Sequence, residues 1–528
     1  MPVHRETREY KPLLFDTTLR NPERIKKFIK VISKYETLVP KDIVINLIVK
    51  DVIQNKLYKT NYTKQNPVLN EIFEDPDRSF TDKQLEDIIK CSPQSHQEGG
   101  FARGWPSRFF TWFKFIRALG FVYFDVNEPI RISNTGKMLL EAFETNNVFE
   151  ENAVFRNAMA RFHRSSPYIM AANENRPFPL LIATILKLKE LCNNQNEGIY
   201  RFEIPYFLCW KDSDVDSLAN YIIQQRARLG LSPSDESIYD NAKEILGMTN
   251  DQENLYKMSN IIREMPDEYI RKMRLTGMIA LRGGGRYLDI NSDYFEEAEY
   301  IRENYLKFKT FDSEKQYFEY AGGWDEKLGQ FAKQREMSSD EYQTKFVNQV
   351  GLYDLSIIKH EFLLLSRPNG SSSHPLFRLL DKSVRLEFLT ALLIKKTYPN
   401  IEVYPNYPID DEGVPTSTAG GNKPDIACKD GNIYVNVEVT MLTSSQQNIL
   451  ETPPIISHLQ ETRRYCREAF AVFVAPRIHP QTDIYLRITP SALNDLELKI
   501  LPNTIEQFSN NLETKESLSS FAENRNPV

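Results

Sequence analysis

The sequence predicts a multidomain α+β and α/β chain. A helical, winged-helix-containing N-terminal region and a helical connecting domain precede a C-terminal domain built on a mixed sheet. Three observations predict this. A helix, glycine, hairpin, helix outline occurs twice in the first 295 residues. The run Ser366-Arg367-Pro368-Asn369-Gly370-Ser371-Ser372-Ser373-His374-Pro375 has the composition of a linker. Beyond it, short apolar runs of strand character alternate with longer runs of helical period, which is α/β order. At roughly 150 residues per domain the chain holds about three or four domains.

Taken in order, Asn21-Pro22-Glu23-Arg24 opens a first helix with apolar Ile25, Phe28, Ile29 and Ile32 at helical spacing, and a second is expected near Lys41 to Tyr58. Both read as packing helices. Phe101 to Gly120 is more informative. It carries Arg103, Arg108, Lys114 and Arg117 and no acid, interleaved with Phe101, Trp105, Phe109, Phe110, Trp112, Phe113 and Phe115. Gly120 ends that helix, Phe121 to Ile132 reads as a hairpin with Asn127-Glu128-Pro129 at its tip, and a further helix starts at Asn134. This is the outline of a winged helix at about 101–143, a helix-turn-helix relative that places one helix in the DNA major groove. The plainer alternative is a helix with a basic outer face and an aromatic inner one.

Residues 178–226 read as two amphipathic helices, the second with Ser213 or Asp214 as its N-cap. The outline then recurs at about 266–295. A helix carrying Arg271, Lys272 and Arg274 leads into a hairpin from Met278 to Ile290 around Gly283-Gly284-Gly285, and Asn291 caps the next element. The glycine triplet lacks the GK[ST] ending of a phosphate-binding loop. Residues 296–365 are mostly helical and charged, with aromatics set among Glu and Lys.

After the linker a helix from Leu376 to Lys396 holds Glu387 amid Leu386, Phe388, Leu389, Leu392 and Leu393. Strands are expected near Glu402–Tyr407, Asp425–Cys428, Ile433–Met441, Ala471–Ala475 and Ile484–Ile488, and helices near Pro454–Phe470 and Thr504–Phe521. The stretch 420–441 organises this domain. Asp430-Gly431 at the turn centre predicts a tight hairpin in which Asp425 faces Asn436. Period two then puts Ile426, Cys428, Ile433, Val435, Val437 and Val439 on one face, all apolar. The other face carries Asp425, Ala427, Tyr434, Asn436, Glu438 and Thr440. Asp425 and Glu438 become diagonal neighbours roughly 7 Å apart, a spacing at which two carboxylates share one hard cation.

Net charge is −6, so any nucleic-acid surface must be local. Five widely spread cysteines with no CxxC pair argue against a disulfide framework or a structural zinc site, and seven scattered histidines form no HxxxH or HExxH cluster. A metal must then be held by carboxylates, which points to Mg²⁺ or Mn²⁺. No apolar run approaches the length of about 20 that spans a bilayer, and the charged N-terminus is unlike a secretory signal. The expected location is cytoplasmic.

A proline-aspartate strand start followed by an acid on the next strand is the pattern of PD-(D/E)xK nucleases. Together, Phe15-Asp16-Thr17-Thr18-Leu19-Arg20-Asn21-Pro22-Glu23-Arg24, Gly421-Asn422-Lys423-Pro424-Asp425 and Val437-Glu438-Val439-Thr440 resemble the AlwI-like family of type IIS restriction endonucleases and their nicking relatives. The resemblance covers most of the chain. It implies a DNA-recognition region over 1–295, a helical connecting domain and linker over 296–375, and a PD-(D/E)xK restriction-endonuclease-like cleavage domain over 376–528. The family's acidic set falls on Glu387, Asp425, Glu438 and Glu451, with His458 seven residues further on. Asp425 and Glu438 would hold Mg²⁺, or Mn²⁺ in its place. Arg103, Arg108, Lys114, Arg117, Arg271, Lys272 and Arg274 are the expected DNA contacts. One departure stands out: Thr440 occupies the place of the ExK lysine.

The implied activity is Mg²⁺-dependent cleavage of double-stranded DNA a few nucleotides outside a short asymmetric site. A transient homodimer or a small second subunit would supply second-strand cutting. The alternatives are a strand-specific nicking enzyme, the large subunit of a heterodimer, or a non-catalytic DNA-binding protein with a degenerate C-terminal domain.

Overall fold

The computed structural model describes residues 9–15, 19, 21–95, 97–169, 171–193, 198–331, 337–367, 370–421, 423–493, 495 and 497–524. The chain forms two compact units, Met1–Glu74 with Ser79–Arg335, and Asp75–Arg78 with Glu336–Val528. Among the described residues no helix is long and apolar enough to cross a membrane. Asp16 to Thr18 and Arg20 of the N-terminal motif, Asn422 of the hairpin approach, and Pro368 and Asn369 of the expected linker lie outside the described residues.

In the first unit the helix Trp105–Ala118 is amphipathic in the expected sense and more buried than expected. Phe109, Trp112, Phe113 and Ile116 are fully enclosed, and Phe109 packs on Phe124 of the following hairpin with ring centroids 4.7 Å apart. Gly120 holds φ +76°, and a Cβ there would sit 2.3 Å from the Ala321 carbonyl carbon, so only glycine fits. The hairpin pairs Val122–Asp125 with Glu128–Ile132. Ser133 then caps the helix Asn134–Glu144 by accepting from the Gly136 N–H. The second copy differs. Its hairpin, Ile279–Arg282 with Tyr287–Ile290, gains a third strand from Ile199–Tyr200. The capping question at 213–214 is settled by the Asp214 side chain, which accepts from the Ser217 N–H.

The units part before the expected linker, not at it. The helices Phe295–Tyr305, Glu314–Ala321 and Glu326–Gln330 belong to the first unit, whereas Ser339–Leu352 and Leu355–Leu364 belong to the second. The expected single 296–375 body is therefore divided. Its physical reason is burial: Ile358 and Phe362 are enclosed, and the Phe362 ring lies 6.1 Å from Phe508 of the C-terminal helix Ile505–Thr514. Linker composition marks where the chain lacks a core, not which core its flanking helices join.

The second unit is built on a five-stranded mixed sheet of order Ile500–Thr504, Ala469–Ala475, Ile433–Val439, Ile426–Asp430, Glu402–Pro405. The first two pairings in that order are parallel and the last two antiparallel. Both edge strands carry a proline, Pro405 and Pro502. The helix Lys382–Thr397, capped by Asp381, and the helix Thr452–Tyr465 cover the sheet.

Two expectations are corrected here. Ile484–Ile488 is not a strand; it lies in the helix Pro480–Ala492, whose first turn is set by His479 accepting from the Gln481 N–H and by Pro480 at the first helical positions. The β-branched residues Ile484 and Ile488 face outward, so their strand propensity had no sheet to join. The fifth strand is Ile500–Thr504 instead, with Pro502 tolerated because the strand is an edge.

The hairpin register also differs. The loop is Gly431-Asn432, with Asp430 opposite Ile433 and Ala427 opposite Asn436. Of the two loop residues only Gly431, at the first position, has a positive φ, +63°, which fits a type II′ turn; the expected type I′ needs positive φ at both. The shift is of two residues, so every side chain keeps its face. Ile426, Cys428, Val435, Val437 and Val439 are all buried as expected.

Candidate active site

The corrected register changes how the two leading carboxylates meet. Extending the ladder one step past Ile426 and Val437 brings Asp425 directly opposite Glu438, not diagonal to it. The Asp425 N–H donates to Glu438 Oε2 at 3.4 Å, and the Val439 N–H donates to Asp425 Oδ2 at 2.7 Å. Each acid is thus tied to the other's strand. Pro424 and the Asn406 side chain hold the approach, with Asn406 Nδ2 donating to the Pro424 carbonyl at 2.7 Å.

Glu387 comes from the helix Lys382–Thr397, whose neighbouring Leu386, Phe388 and Leu389 are fully buried. Its Oε2 accepts from the Ala419 N–H at 2.8 Å. Glu451 sits at the junction between the short helix Gln446–Leu450 and the helix Thr452–Tyr465, and its Oε1 accepts from the Thr440 hydroxyl at 2.8 Å. His458, further along that helix, places Nδ1 2.9 Å from Glu438 Oε1 and Nε2 3.3 Å from the Gly421 carbonyl. Since a carbonyl only accepts, Nε2 carries a proton in this arrangement.

Helix and strand match in pitch here. Asn436 and Glu438, two apart on the strand, bond Thr462 and His458, four apart on the helix. Two strand residues rise about 6.7 Å and four helix residues about 6 Å, so both pairs close together. Asn436 Nδ2 donates to Thr462 Oγ1 at 3.0 Å, and Thr462 in turn donates to the His458 carbonyl. Thr462 is absent from the sequence-based candidates. The available signal was its i+4 spacing from His458, opposite an Asn on the acidic face of the hairpin.

Charge is the main property of this cluster. Burial, then the neighbouring Glu438 and Glu451, push Glu387 up to about 8. Burial, with Glu387 and Glu438 beside it, carries Asp425 well above the carboxylate range. Burial and then Glu438 raise Glu451 to about 6, against the lowering effect of the Thr440 bond. Burial alone would depress His458, but the Glu438 hydrogen bond and charge carry it above its ordinary value. These acids share one enclosed space and disfavour each other's ionisation.

Among the described residues no three His, Cys, Asp or Glu side chains stand close enough to hold a metal ion between them. A hard cation such as Mg²⁺ nonetheless suits the donor set. It is commonly bound through one or two carboxylates, with water and substrate phosphate completing the shell. The facing pair Asp425 and Glu438, backed by the carboxyl groups of Glu387 and Glu451, meets that requirement.

The basic residues of the first unit fall into two groups. Arg117 is enclosed, with Nη2 donating to the Phe124 carbonyl at 2.8 Å and to Glu314 at 2.6 Å, its guanidinium 4.3 Å from the Tyr168 ring centroid. Lys272 is also enclosed, its ammonium 4.5 Å from the Phe15 ring centroid. Neither reaches a DNA backbone from there, which corrects the expectation for these two. Arg103 is exposed, and Arg108, Lys114, Arg271 and Arg274 are partly exposed. Arg108 Nε donates to Gln94 Oε1 at 3.0 Å, and Lys114 pairs with Glu98.

The sequence profile of the AlwI restriction endonuclease family matches residues 117–363 and 380–510, well over half of the chain and all five acidic and histidine positions of the cluster. The chain belongs to the AlwI restriction endonuclease family. Membership makes it a restriction endonuclease by kind, as the hairpin residues implied. No curated protein is similar to the chain at a significant level. Among solved structures it is similar to the small subunit of the heterodimeric restriction endonuclease R.BspD6I, at 19% identity over 33% of this chain and 82% of that one, with a TM-score of 0.25. It is also similar to the restriction endonuclease FokI, at 12% identity over 98% of both chains, with a TM-score of 0.26.

Proposed function

We propose that this AlwI-family chain is a Mg²⁺-dependent type IIS endonuclease, in which the first unit binds a short asymmetric DNA site and the second hydrolyses a phosphodiester a few nucleotides away. The observation that carries the reading is the facing pair Asp425 and Glu438 inside a buried group of carboxylates with raised pKa values. When bound, Mg²⁺ supplies Lewis-acid polarisation of the phosphate and a water of lowered pKa. Asp425 and Glu438 are the residues that would hold it, and Mn²⁺ would serve the same donors.

The chain's own groups do the rest. His458 and the Asp425 N–H fix the two oxygens of Glu438. Glu451, set near neutral pH, accepts the proton of the attacking water at the oxygen that Thr440 leaves open. Glu387 backs the site at its rear, held in orientation by the Ala419 N–H. In the first unit, Arg103, Arg108, Lys114, Arg271 and Arg274 are the cations offered to DNA, on the two winged-helix-like subdomains.

A nicking enzyme is the second reading: the pair Asp425 and Glu438 serves one strand at a time. A second copy or a small subunit would bring the other strand's site. Digestion of supercoiled plasmid in Mg²⁺, followed by run-off sequencing, tests both. Cuts at a fixed offset from a common short motif support the proposal, linear product separates double-strand cutting from nicking, and absence of any metal-dependent cleavage refutes it.

A further inference from the structure

Thr440 stands at the end of the strand Ile433–Val439, two residues after Glu438, where an ExK nuclease carries lysine. Its surroundings leave its hydroxyl little freedom. The Thr440 N–H donates to the Val474 carbonyl at 3.0 Å, which ties the residue to the adjacent strand. The Leu442 N–H donates to Thr440 Oγ1 at 3.1 Å. An oxygen already accepting from a backbone amide has its own single proton to give, and the acceptor in reach is Glu451 Oε1 at 2.8 Å. Thr440 is itself buried, so water does not compete freely for that bond.

The segment between the two residues is held from a second side. Gln447, fully buried, donates through Nε2 to the Leu442 carbonyl at 2.8 Å and the Arg477 carbonyl at 3.0 Å, and accepts at Oε1 from the His479 N–H at 2.9 Å. The Glu451 N–H donates to the Gln447 carbonyl at 3.1 Å. Gln447 therefore places the Glu451 backbone, while Thr440 places its carboxylate. A lysine here would bring a cation and a long flexible stem. Threonine brings no charge and a fixed donor instead.

We infer that Thr440 is a positioning residue: it clasps one oxygen of Glu451 so that the other is presented to the attacking water, and this clasp takes the place of the missing lysine. The inference rests on the nuclease reading above and deepens it. Hydroxyl and shape separate cleanly by substitution. Thr440→Val keeps the branched shape and removes the donor; Thr440→Ser keeps the donor and removes a methyl.

The test uses the full chain and a plasmid whose cut position has been mapped, under single-turnover conditions in saturating Mg²⁺, with DNA affinity measured separately. A charge-assisted hydrogen bond is worth roughly ten- to a hundredfold. Thr440→Val should lose about that factor in the cleavage rate with unchanged DNA affinity, and Thr440→Ser should recover most of the loss. Amide hydrogen exchange over 442–451, read without DNA or metal, should accelerate in Thr440→Val and stay near the parent in Thr440→Ser. A packing role predicts the reverse order, because serine leaves the larger void, and that order overturns the inference. So does an unchanged rate in Thr440→Val. Asp425→Asn run alongside separates the two levels: if it cuts normally the placing of the active site at Asp425 and Glu438 falls and the clasp with it, whereas if it is inactive and Thr440→Val is normal, only the clasp falls.

Discussion

Glu387→Gln should make the second unit more stable at alkaline pH while impairing cleavage. The Glu387 carboxyl ordinarily titrates at 4.5, and in the fold it is pushed up to about 8 by burial and then by Glu438 and Glu451. Above pH 4.5 the unfolded chain has released this proton and the folded chain still binds it. Stability therefore falls as pH climbs from 4.5 toward 8 and levels off beyond. At 1.36 kcal/mol per pH unit the metal-free fold loses about 3–5 kcal/mol across that window. Glutamine is neutral, nearly isosteric, and keeps an oxygen for the Ala419 N–H, so it escapes the loss. Scanning calorimetry in EDTA at pH 5 and pH 9 reads the effect. At pH 5 the variant should match the parent closely; at pH 9 its second-unit transition should rise by roughly 10 °C. All four tryptophans, Trp105, Trp112, Trp210 and Trp324, lie in the first unit, so tryptophan fluorescence supplies an internal control that should not move. Equal shifts at both pH values, or destabilisation at pH 9, would refute the reasoning.

Asp425→Asn and Glu438→Gln should each lower plasmid cleavage by several orders of magnitude, since metal activation of water supplies much of the rate, while gel-shift affinity for the mapped site persists. Asn436→Ala should cost about 1–2 kcal/mol of second-unit stability through the lost Thr462 bond, with a far smaller effect on cleavage. In His458→Gln the stability deficit should be largest below pH 6.5 and shrink as pH rises past the raised His458 pKa, because a raised histidine stabilises only while protonated; a deficit growing with pH would contradict the Glu438 pairing. Arg108→Ala and Arg271→Ala should weaken DNA binding, by about 1–3 kcal/mol for a base contact, whereas Arg117→Ala should instead destabilise the first unit, through the enclosed side chain lost among Phe110, Phe124 and Tyr168 and its bonds to Phe124 and Glu314, read by urea titration of tryptophan fluorescence.

The hairpin faces were legible because period two survives a two-residue register error, so Asp425 and Glu438 fall on one face even with the wrong turn type. Their direct opposition was not legible, because Asp-Gly and Gly-Asn compete for the loop and both suit a positive-φ glycine; the pairing of Asp430 with Ile433 decides it. Glu387 stood out as an acid in an apolar helical run, either a helix-edge charge or a held-in site group, whereas Glu451 and His458 entered through family resemblance; it takes the fold of the helices Lys382–Thr397 and Thr452–Tyr465 to bring all three to the hairpin. The basic helix shows the limit of composition. Four cations without an acid predicted a charged outer face, yet Arg117 lies among Phe110, Phe124 and Tyr168 because Glu314, nearly two hundred residues away, answers its charge. The helix Pro480–Ala492 is hidden for the opposite reason, its isoleucines Ile484 and Ile488 lying on the exposed side.

Pro405 and Pro502, one on each border of the five-stranded sheet, bear on how such a unit could ever meet a second one. A border strand offers unpaired backbone groups to any passing chain, and proline withholds the amide that a new ladder would need. The sheet is thus closed to growth by strand addition at both ends. Two copies gathered on one DNA molecule, at the high local concentration that brings, would have to recognise each other through side chains on helices or loops. Such contacts are graded and reversible, and with both borders closed a second copy's sheet has no ladder to extend into a fibril.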